Sequence, residues 1–372
     1  MPSGFLMAYL HEVISDLSNW YEDNYDFRRF GPRTEKRRFL SGRALIKDYL
    51  HHRGWVSKRE LENCIAAAFQ LIKGHEDGFQ WLYDRLADSE SQNILVKVLA
   101  FRALGYHKVK LPLNSPSYWE GLAQIEKLAD SSDFISIGFR NWRLSHINLA
   151  ALGLPIRLYD VPWGAYVQFV LEQYRCRRND GADIAVESGD YVIDAGACWG
   201  DTALYFAHRS QPNGKVFSFE FVPENLEVLR RNLALNDVLS RQIQIVERAA
   251  WDISDVKLLI EGDGPATRVR AESSDAFIAP LTLTIDDLVQ RYNLPKVNFI
   301  KMDIEGSELR ALKGAKQTIQ SYRPKLAISV YHQFSDFYKI PRFLDSLECG
   351  FRYYLRHYTI HAEETILFAE AV

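Results

Sequence analysis

Cysteine is scarce in this chain and never clustered. Its four residues, Cys64, Cys176, Cys198 and Cys349, lie far apart and form no CxxC pair. That argues against a zinc site and against a disulfide framework, and fits a reducing compartment. No run of 18 apolar residues is present, so nothing is predicted to span a membrane. The basic leader of a signal peptide is missing too: the short apolar stretch Met1–Leu10 runs straight into His11, Glu12 and Asp16. A cytoplasmic location is the expectation. Neither sign of charge dominates, and a formal net charge of −3 exerts no general pull on nucleic acid. No nucleic-acid partner is therefore expected. The pattern G-x-G-x-x-G, which a dinucleotide pocket needs, is absent as well.

What is there is globular in character. Apolar residues make up 47% and charged residues 25% of 372 positions, enough for a sizeable core and two ordinary domains. Residues 1 to about 135 read as a mainly helical domain of unassigned role. Ser57-Lys58-Arg59-Glu60 is a capping box, followed by Leu61, Ile65, Ala68, Phe69 and Ile72 at helical spacing and a stop at Gly74. Further helices are predicted over Phe79–Leu86, Asn93–Leu104 and Trp119–Ala129. Residues 136–188 read as a bridging segment whose apolar run Tyr166–Tyr174 forms a helix.

From 189 to 372 short β-branched or aromatic runs alternate with helical ones. Strands are predicted at Tyr191–Asp194, Lys215–Glu220, Gln242–Val246, Val297–Asp303 and Leu326–Tyr331, with helices at about 200–210, 223–235, 306–320 and 341–348. Such alternation implies βαβ units and an α/β doubly wound parallel sheet. Phe351–Leu355 and Thr365–Ala369 are too close for a crossover helix and should form an antiparallel hairpin at one edge.

Ligands of open α/β sheets bind beyond the carboxyl ends of the strands. The first strand ends in Asp194-Ala195-Gly196-Ala197-Cys198-Trp199-Gly200-Asp201-Thr202. Gly196 and Gly200 permit a tight turn and close backbone approach, with Ala197 and Thr202 in the same turn. The free N–H groups of the next helix suit a carboxylate such as that of a methionine moiety. Asp194 is placed to hold the amino group. Glu220, at the tip of the second strand, stands where a carboxylate accepts two ribose hydroxyls. Ala197, Cys198 and Trp199 crowd the turn, which favours a cofactor without a pyrophosphate over a nicotinamide dinucleotide. After the third strand, Ala249, Ala250 and Trp251 would lie near an adenine ring, with Trp251 either stacking or packing.

The fourth strand carries the most specific text, Phe299-Ile300-Lys301-Met302-Asp303-Ile304-Glu305-Gly306-Ser307-Glu308. Asp303 and Glu305 should share one side by the period of two, and Glu308 suits the start of a helix. This segment resembles the FkbM family of methyltransferases. So do Tyr191–Ala197, Phe219-Glu220 with Pro223, Glu224 and Asn225, then Asn232, Asn236, Leu283–Leu288 and Glu364–Ala369. The resemblance spans about residues 165–372 and does not reach the first 135 or so. It implies a class I methyltransferase fold, Rossmann-like with an antiparallel C-terminal hairpin, and S-adenosylmethionine as cofactor. It further implies O-methylation of a hydroxyl, often on a sugar or polyketide. A dinucleotide oxidoreductase and a non-catalytic binding module on the same fold are the alternatives. The module would lack Asp194, Glu220 or Asp303, and all three are present.

Methyl transfer to oxygen needs a proton acceptor. The candidates are Asp303, Glu305 and His332, which directly follows the fifth strand, with His357 and His361 in the hairpin turn. Asp303, Glu305 and His332 could also form an oxygen and nitrogen site for a divalent cation; the residue order permits this without requiring it, and no metal is expected. The stretch 261–280, with Gly262, Gly264, Pro265, Arg268 and Arg270, is long enough for a lid. Arg28, Arg29, Arg33, Lys36, Arg37, Arg38 and Arg43 form a basic run that usually is a solvated face and sometimes meets an anionic partner. The expected partner is a small-molecule or glycan acceptor.

Overall fold

The computed structural model describes residues 4–31, 57–179, 181–261, 264–271 and 281–372. The chain divides into two compact units, Met1–Trp119 with Leu355–Thr365, and Glu120–Tyr354 with Ile366–Val372.

The first unit contains helices α1 (Gly4–Asp16), α2 (Lys58–Ile72), α3 (Glu76–Arg85) and α4 (Ser89–Leu104). The expected cap is in place: the Ser57 hydroxyl accepts from the Glu60 N–H at 3.2 Å. α4 starts four residues ahead of the predicted Asn93 because Asp88 caps it, accepting from the Ser91 N–H at 2.7 Å. Gly105 ends it in a left-handed conformation. Within this unit Arg29 pairs with Glu363 at 2.8 Å and Glu364 at 3.1 Å, and Arg28 lies over the Phe27 ring. The rest of the basic run, Arg33, Lys36, Arg37, Arg38 and Arg43, lies outside the described residues.

The second unit opens with α5 (Pro116–Leu128), which overlaps the unit boundary, and β1 (Ala129–Ser136), β2 (Arg143–Asn148) and β3 (Arg157–Asp160), an antiparallel sheet in that order. Residues 136–188 thus contribute β2 and β3 to the second unit. Polar side chains tie this segment down. In α7 (Pro223–Ala234), the Asn232 amide donates to the Tyr159 carbonyl and accepts from the Tyr159 N–H, at 3.1 and 2.7 Å. Asn236, just beyond that helix, does the same for Arg157, at 2.6 and 3.1 Å. The two amides supply the free edge of β3 with a substitute ladder. After β3 a helix does form, Pro162–Ala165 running on into a π-helical stretch Tyr166–Val170, which ends short of the predicted Tyr174.

The main sheet is built from β4 (Tyr191–Ala195), β5 (Lys215–Phe219), β6 (Ile243–Val246), β11 (Phe299–Met302), β12 (Lys325–Ser329), β13 (Phe351–His357) and β14 (Thr365–Ala371), in the order β13-β14-β12-β11-β4-β5-β6. β6, β5, β4, β11 and β12 are parallel, and β14 runs antiparallel to β12. The chain reverses its winding direction at β4, between β5 and β11, so a crevice opens there beyond the strand tips. α6 (Asp201–Arg209) follows β4, and α7 follows β5.

Two predicted helices change shape. The stretch 306–320 splits into α9 (Glu308–Lys313) and α10 (Lys316–Tyr322). A Cβ at Gly314 would run into the Trp251 carbonyl, so the chain packs too closely there for a side chain. Asp286, in α8 (Ile285–Arg291), then caps α10 by accepting from the Gln317 and Thr318 N–H groups at 3.1 and 2.8 Å. α11 is Asp336–Asp345, with Pro341 inside it rather than at its start. Among the described residues no helix is long and apolar enough to cross a membrane.

Candidate active site

An open cleft lies at the crevice beyond the strand tips. Gly196 and Cys198 line it from the β4 turn, Glu220 and Asn225 from β5 and α7, Ala249 and Ala250 from β7 (Ala249–Ala250), and Asp303, Glu305 and Ser307 from the β11 tip. Thus Gly196, Glu220, Ala250, Asp303 and Glu305, from separate stretches of sequence, meet at one wall. Gly264, Pro265 and Thr267 of the expected lid line it too. They connect β8 (Leu258–Glu261) to β9 (Arg268–Ala271), an antiparallel pair. Gly262 and the side chains of Arg268 and Arg270 lie outside the described residues.

Gly196 is required by conformation and space. Its φ is +86°, and a Cβ there would strike the Asp303 carbonyl. Gly200, also at φ +86°, starts α6. Ala197 and Thr202 are buried, do not line the cleft, and serve the turn from within.

Glu220 is 6% exposed. One of its oxygens accepts from the Phe221 and Val222 N–H groups at 2.6 and 2.8 Å, the other from the Asn225 amide at 3.2 Å. Burial raises its pKa, and these donors offset only part of that. Trp251 settles as a packing residue: it is 4% exposed among Ala249, Leu258 and Phe221, with Arg310 over its ring.

Asp194 is not at the cleft wall but inside the sheet, fully buried. The register places Lys301 of β11 and Ser218 of β5 opposite it on either side. Its carboxylate pairs with the Lys301 ammonium at 3.2 Å and accepts from Thr202 at 2.9 Å and Ser218 at 3.3 Å. The amino-group role expected for Asp194 thus meets a carboxylate that already has a cation. Asp201, in the first turn of α6, is another acid at the helix end expected to receive a carboxylate; burial pushes it up to about 6.

Lys301 was absent from the sequence-based site. It is 1% exposed, donates to the Gly196 carbonyl at 2.6 Å and lies over the Tyr174 ring. Burial works against its charge, but Asp194, Asp303 and Asp201 outweigh it and raise its pKa. The signal was legible: a lysine inside an otherwise apolar central strand needs a buried acid beside it.

Beyond the strand, Asp303 accepts from the Tyr174 hydroxyl at 3.0 Å and the Tyr331 hydroxyl at 3.2 Å, two further residues the sequence reading missed. β11 ends at Met302, so the period of two does not carry to Glu305. Glu305 instead has φ +55°, the left-handed region, which turns it toward the cleft it lines. His332 stands one layer back, with its side chain 4% exposed. Its Nε2 lies 3.3 Å from Asp303 and 3.6 Å from Glu305, and its Nδ1 3.0 Å from Glu308. Burial alone would lower its pKa, yet Glu308, Glu305 and Asp303 lift it well above the usual histidine value. His357 and His361 do not qualify as bases. Both are 7% exposed, and burial drives the first down to about 3 and the second well below its usual value. Cys198, at the wall, has its thiol pushed far up by burial and by Glu220, Asp201 and Asp160, which makes it a poor nucleophile.

Comparison with known proteins follows the same lines. The chain is 28% identical over 167 residues to methyltransferase sdnD of Sordaria araneosa, covering 36% of this chain and 64% of that protein. It is 28% identical over 164 residues to hexuronic acid methyltransferase AglP of Haloferax volcanii, covering 42% and 65%. The chain thus spans just under two thirds of these relatives. The crystal structure of methyltransferase FkbM from Methylobacillus flagellatus superposes with a TM-score of 0.52 at 20% identity, covering 88% of this chain and 71% of that one, which supports the fold. The sequence pattern of the methyltransferase FkbM domain matches residues 194–353. With the strand order and the β11 tip described above, these matches make the second unit similar to the methyltransferase FkbM domain over residues 194–353.

Proposed function

We propose that this chain is an S-adenosylmethionine-dependent O-methyltransferase acting on a hydroxyl of a sugar, glycolipid, or glycosylated or polyketide natural product. The observation that carries this is the convergence of Gly196, Glu220, Ala250 and Asp303 on one cleft at the switch point of the sheet. These residues fit an adenosyl ligand: a buried carboxylate in the wall, small residues opposite it, and a glycine whose missing Cβ keeps the backbone passage open. The buried Ala197 and Trp199 leave less room for a pyrophosphate. That the relative AglP is named for a hexuronic acid favours a sugar acceptor.

When bound, the cofactor supplies a methyl group on a sulfonium. The chain's own residues supply the rest. Glu220 accepts the ribose hydroxyls. Ala249 and Ala250 let the backbone approach the base. Asp303, held by two tyrosines, fixes the floor between cofactor and acceptor. An in-line transfer needs the acceptor oxygen at roughly 3 Å from the methyl. Glu305, at the wall, meets that hydroxyl and accepts its proton; His332, directly behind, takes it on through Nε2 when its ring is neutral. Isothermal titration with S-adenosylmethionine tests the cofactor half. Release of S-adenosylhomocysteine across a panel of glycosides, uronides included, tests the acceptor half. Folded protein that gives no heat with the cofactor refutes the proposal.

A further inference from the structure

Glu308 is 0% exposed, in a position where a carboxylate is costly without partners. It sits at the start of α9, and a role as helix cap would explain one oxygen. Indeed its Oε1 accepts from the Ile304 N–H at 2.8 Å and the Gly306 N–H at 3.4 Å. The same oxygen, however, is 3.0 Å from His332 Nδ1. The opposite nitrogen of that ring faces Asp303 and Glu305, at 3.3 and 3.6 Å. The turn that carries the contact is itself fixed: the Gln333 amide donates to the Gly306 carbonyl at 2.7 Å. Asp336, at the start of α11, adds a further buried acid beside the group and is pushed up to about 7 by burial and by Glu308.

We propose that Glu308 is a positioning residue. By holding His332 at Nδ1 it fixes the ring's orientation and leaves Nε2 directed at the carboxylates of the acceptor wall. The inference rests on the methyltransferase reading given above, and it deepens it. A carboxylate that orients an imidazole through one nitrogen while the other handles the proton is a general device, and removing such an outer partner costs roughly 10–100-fold in activity. Glu308 touches neither cofactor nor acceptor; it acts only through His332.

That last point makes the proposal testable with a double-mutant cycle. Glu308→Gln keeps an oxygen for the Ile304 and Gly306 N–H groups, so the turn survives while the charge is lost. Turnover on an acceptor found in the glycoside panel should fall roughly 10–100-fold. Affinity for S-adenosylmethionine should stay within about twofold. In a His332→Asn background the same change should cost nothing further, and Glu308→Asp should restore part of the loss. Multiplicative effects, or full turnover in Glu308→Gln, overturn the proposal. A second measurement does not need an acceptor. In protein with ¹⁵N-labelled histidine, at a pH alkaline enough that the His332 ring is neutral, its signal, identified by its absence in His332→Asn, should show a protonated Nδ1 that Glu308→Ala abolishes in favour of the Nε2–H form. An unchanged Nδ1 proton in Glu308→Ala refutes the positioning role by itself. A failure of S-adenosylmethionine to bind would count against the enzymatic reading alone.

Discussion

Replacing Lys301 with methionine tests the electrostatic centre of the domain. The methionine side chain has nearly the lysine's volume, so packing is largely conserved. What changes is charge: Asp194 is left buried with two hydroxyl donors and no cation. Breaking a buried pair by removing one partner costs about 3–5 kcal/mol, and 1% and 0% exposure of the two side chains places this pair at that end of the scale. The Gly196 carbonyl also loses its donor at 2.6 Å, so the turn that lines the cleft loosens. Urea unfolding followed by tryptophan fluorescence should show the second unit destabilised by about 3–5 kcal/mol, and calorimetric titration should show weaker S-adenosylmethionine binding. Asp194→Asn alone strands the lysine and should be costly as well. The double variant should be far less destabilised than the sum, because a neutral amide beside a thioether leaves no orphan charge. The pH dependence has a fixed sign. With its pKa raised in the fold, Lys301 contributes stability that is whole below the unfolded lysine value and lost as pH rises through the folded one. The variant should therefore differ from the parent by a constant amount across neutral pH. A Lys301→Met cost under about 1 kcal/mol, or additive single effects, refutes the reasoning.

Other consequences are open to direct measurement. Glu220→Ala should weaken S-adenosylmethionine binding by about 1–3 kcal/mol by calorimetry, since it removes charge-assisted acceptors; unchanged affinity would show that the ribose assignment is wrong. Gly196→Ala forces a Cβ into the Asp303 carbonyl at a positive φ, so cofactor binding should be lost or the domain's melting temperature should drop by several degrees. Because His332 is held well above the ordinary histidine pKa, its neutral, proton-accepting form grows as pH rises. Turnover should climb on the alkaline side of neutrality in a pH–rate profile, and His332→Asn should abolish that limb. His357, buried and pushed down to about 3, contributes stability that is present above the unfolded pKa and lost as pH falls through the window from about 6.5 toward 3. Acid unfolding of His357→Phe should begin at lower pH than that of the parent.

The sheet was readable because its strands are near-continuous apolar runs, as buried parallel strands must be. The antiparallel sheet β1–β3 was not. Its first strand is polar and almost wholly exposed, so no alternation marks it, and β3 is held by amides some 70 residues further on. No local pattern announces such a bond. The same holds for residues of the motifs that carry the family resemblance. Asn232 and Asn236 turn out to hold a strand, and Asp286 and Thr284 cap helices. A family motif preserves whatever the fold needs, and a caps-and-ladders need looks identical in sequence to a chemical one.

Asp194 and Asp303 show the same ambiguity at the site itself. Read from sequence, they have separate tasks, Asp194 at the amino group of the cofactor and Asp303 as a candidate proton acceptor. In the fold they belong to one chain of alternating charge: Asp194 to Lys301 at 3.2 Å, Lys301 beside Asp303, Asp303 to His332 at 3.3 Å, and His332 to Glu308 at 3.0 Å. Two cations supplied by the protein, Lys301 and protonated His332, stand between the three carboxylates of that chain, so much of the charge at the buried strand tip is offset from within. Glu220 differs, since N–H donors rather than a cation hold it in the wall. An incoming hydroxyl can therefore bond to Glu220 without breaking an ion pair, whereas an ammonium at Asp194 would have to displace Lys301. On the proposed reading, the cofactor's sugar end has a prepared acid at Glu220, whereas Asp194 is already occupied by Lys301.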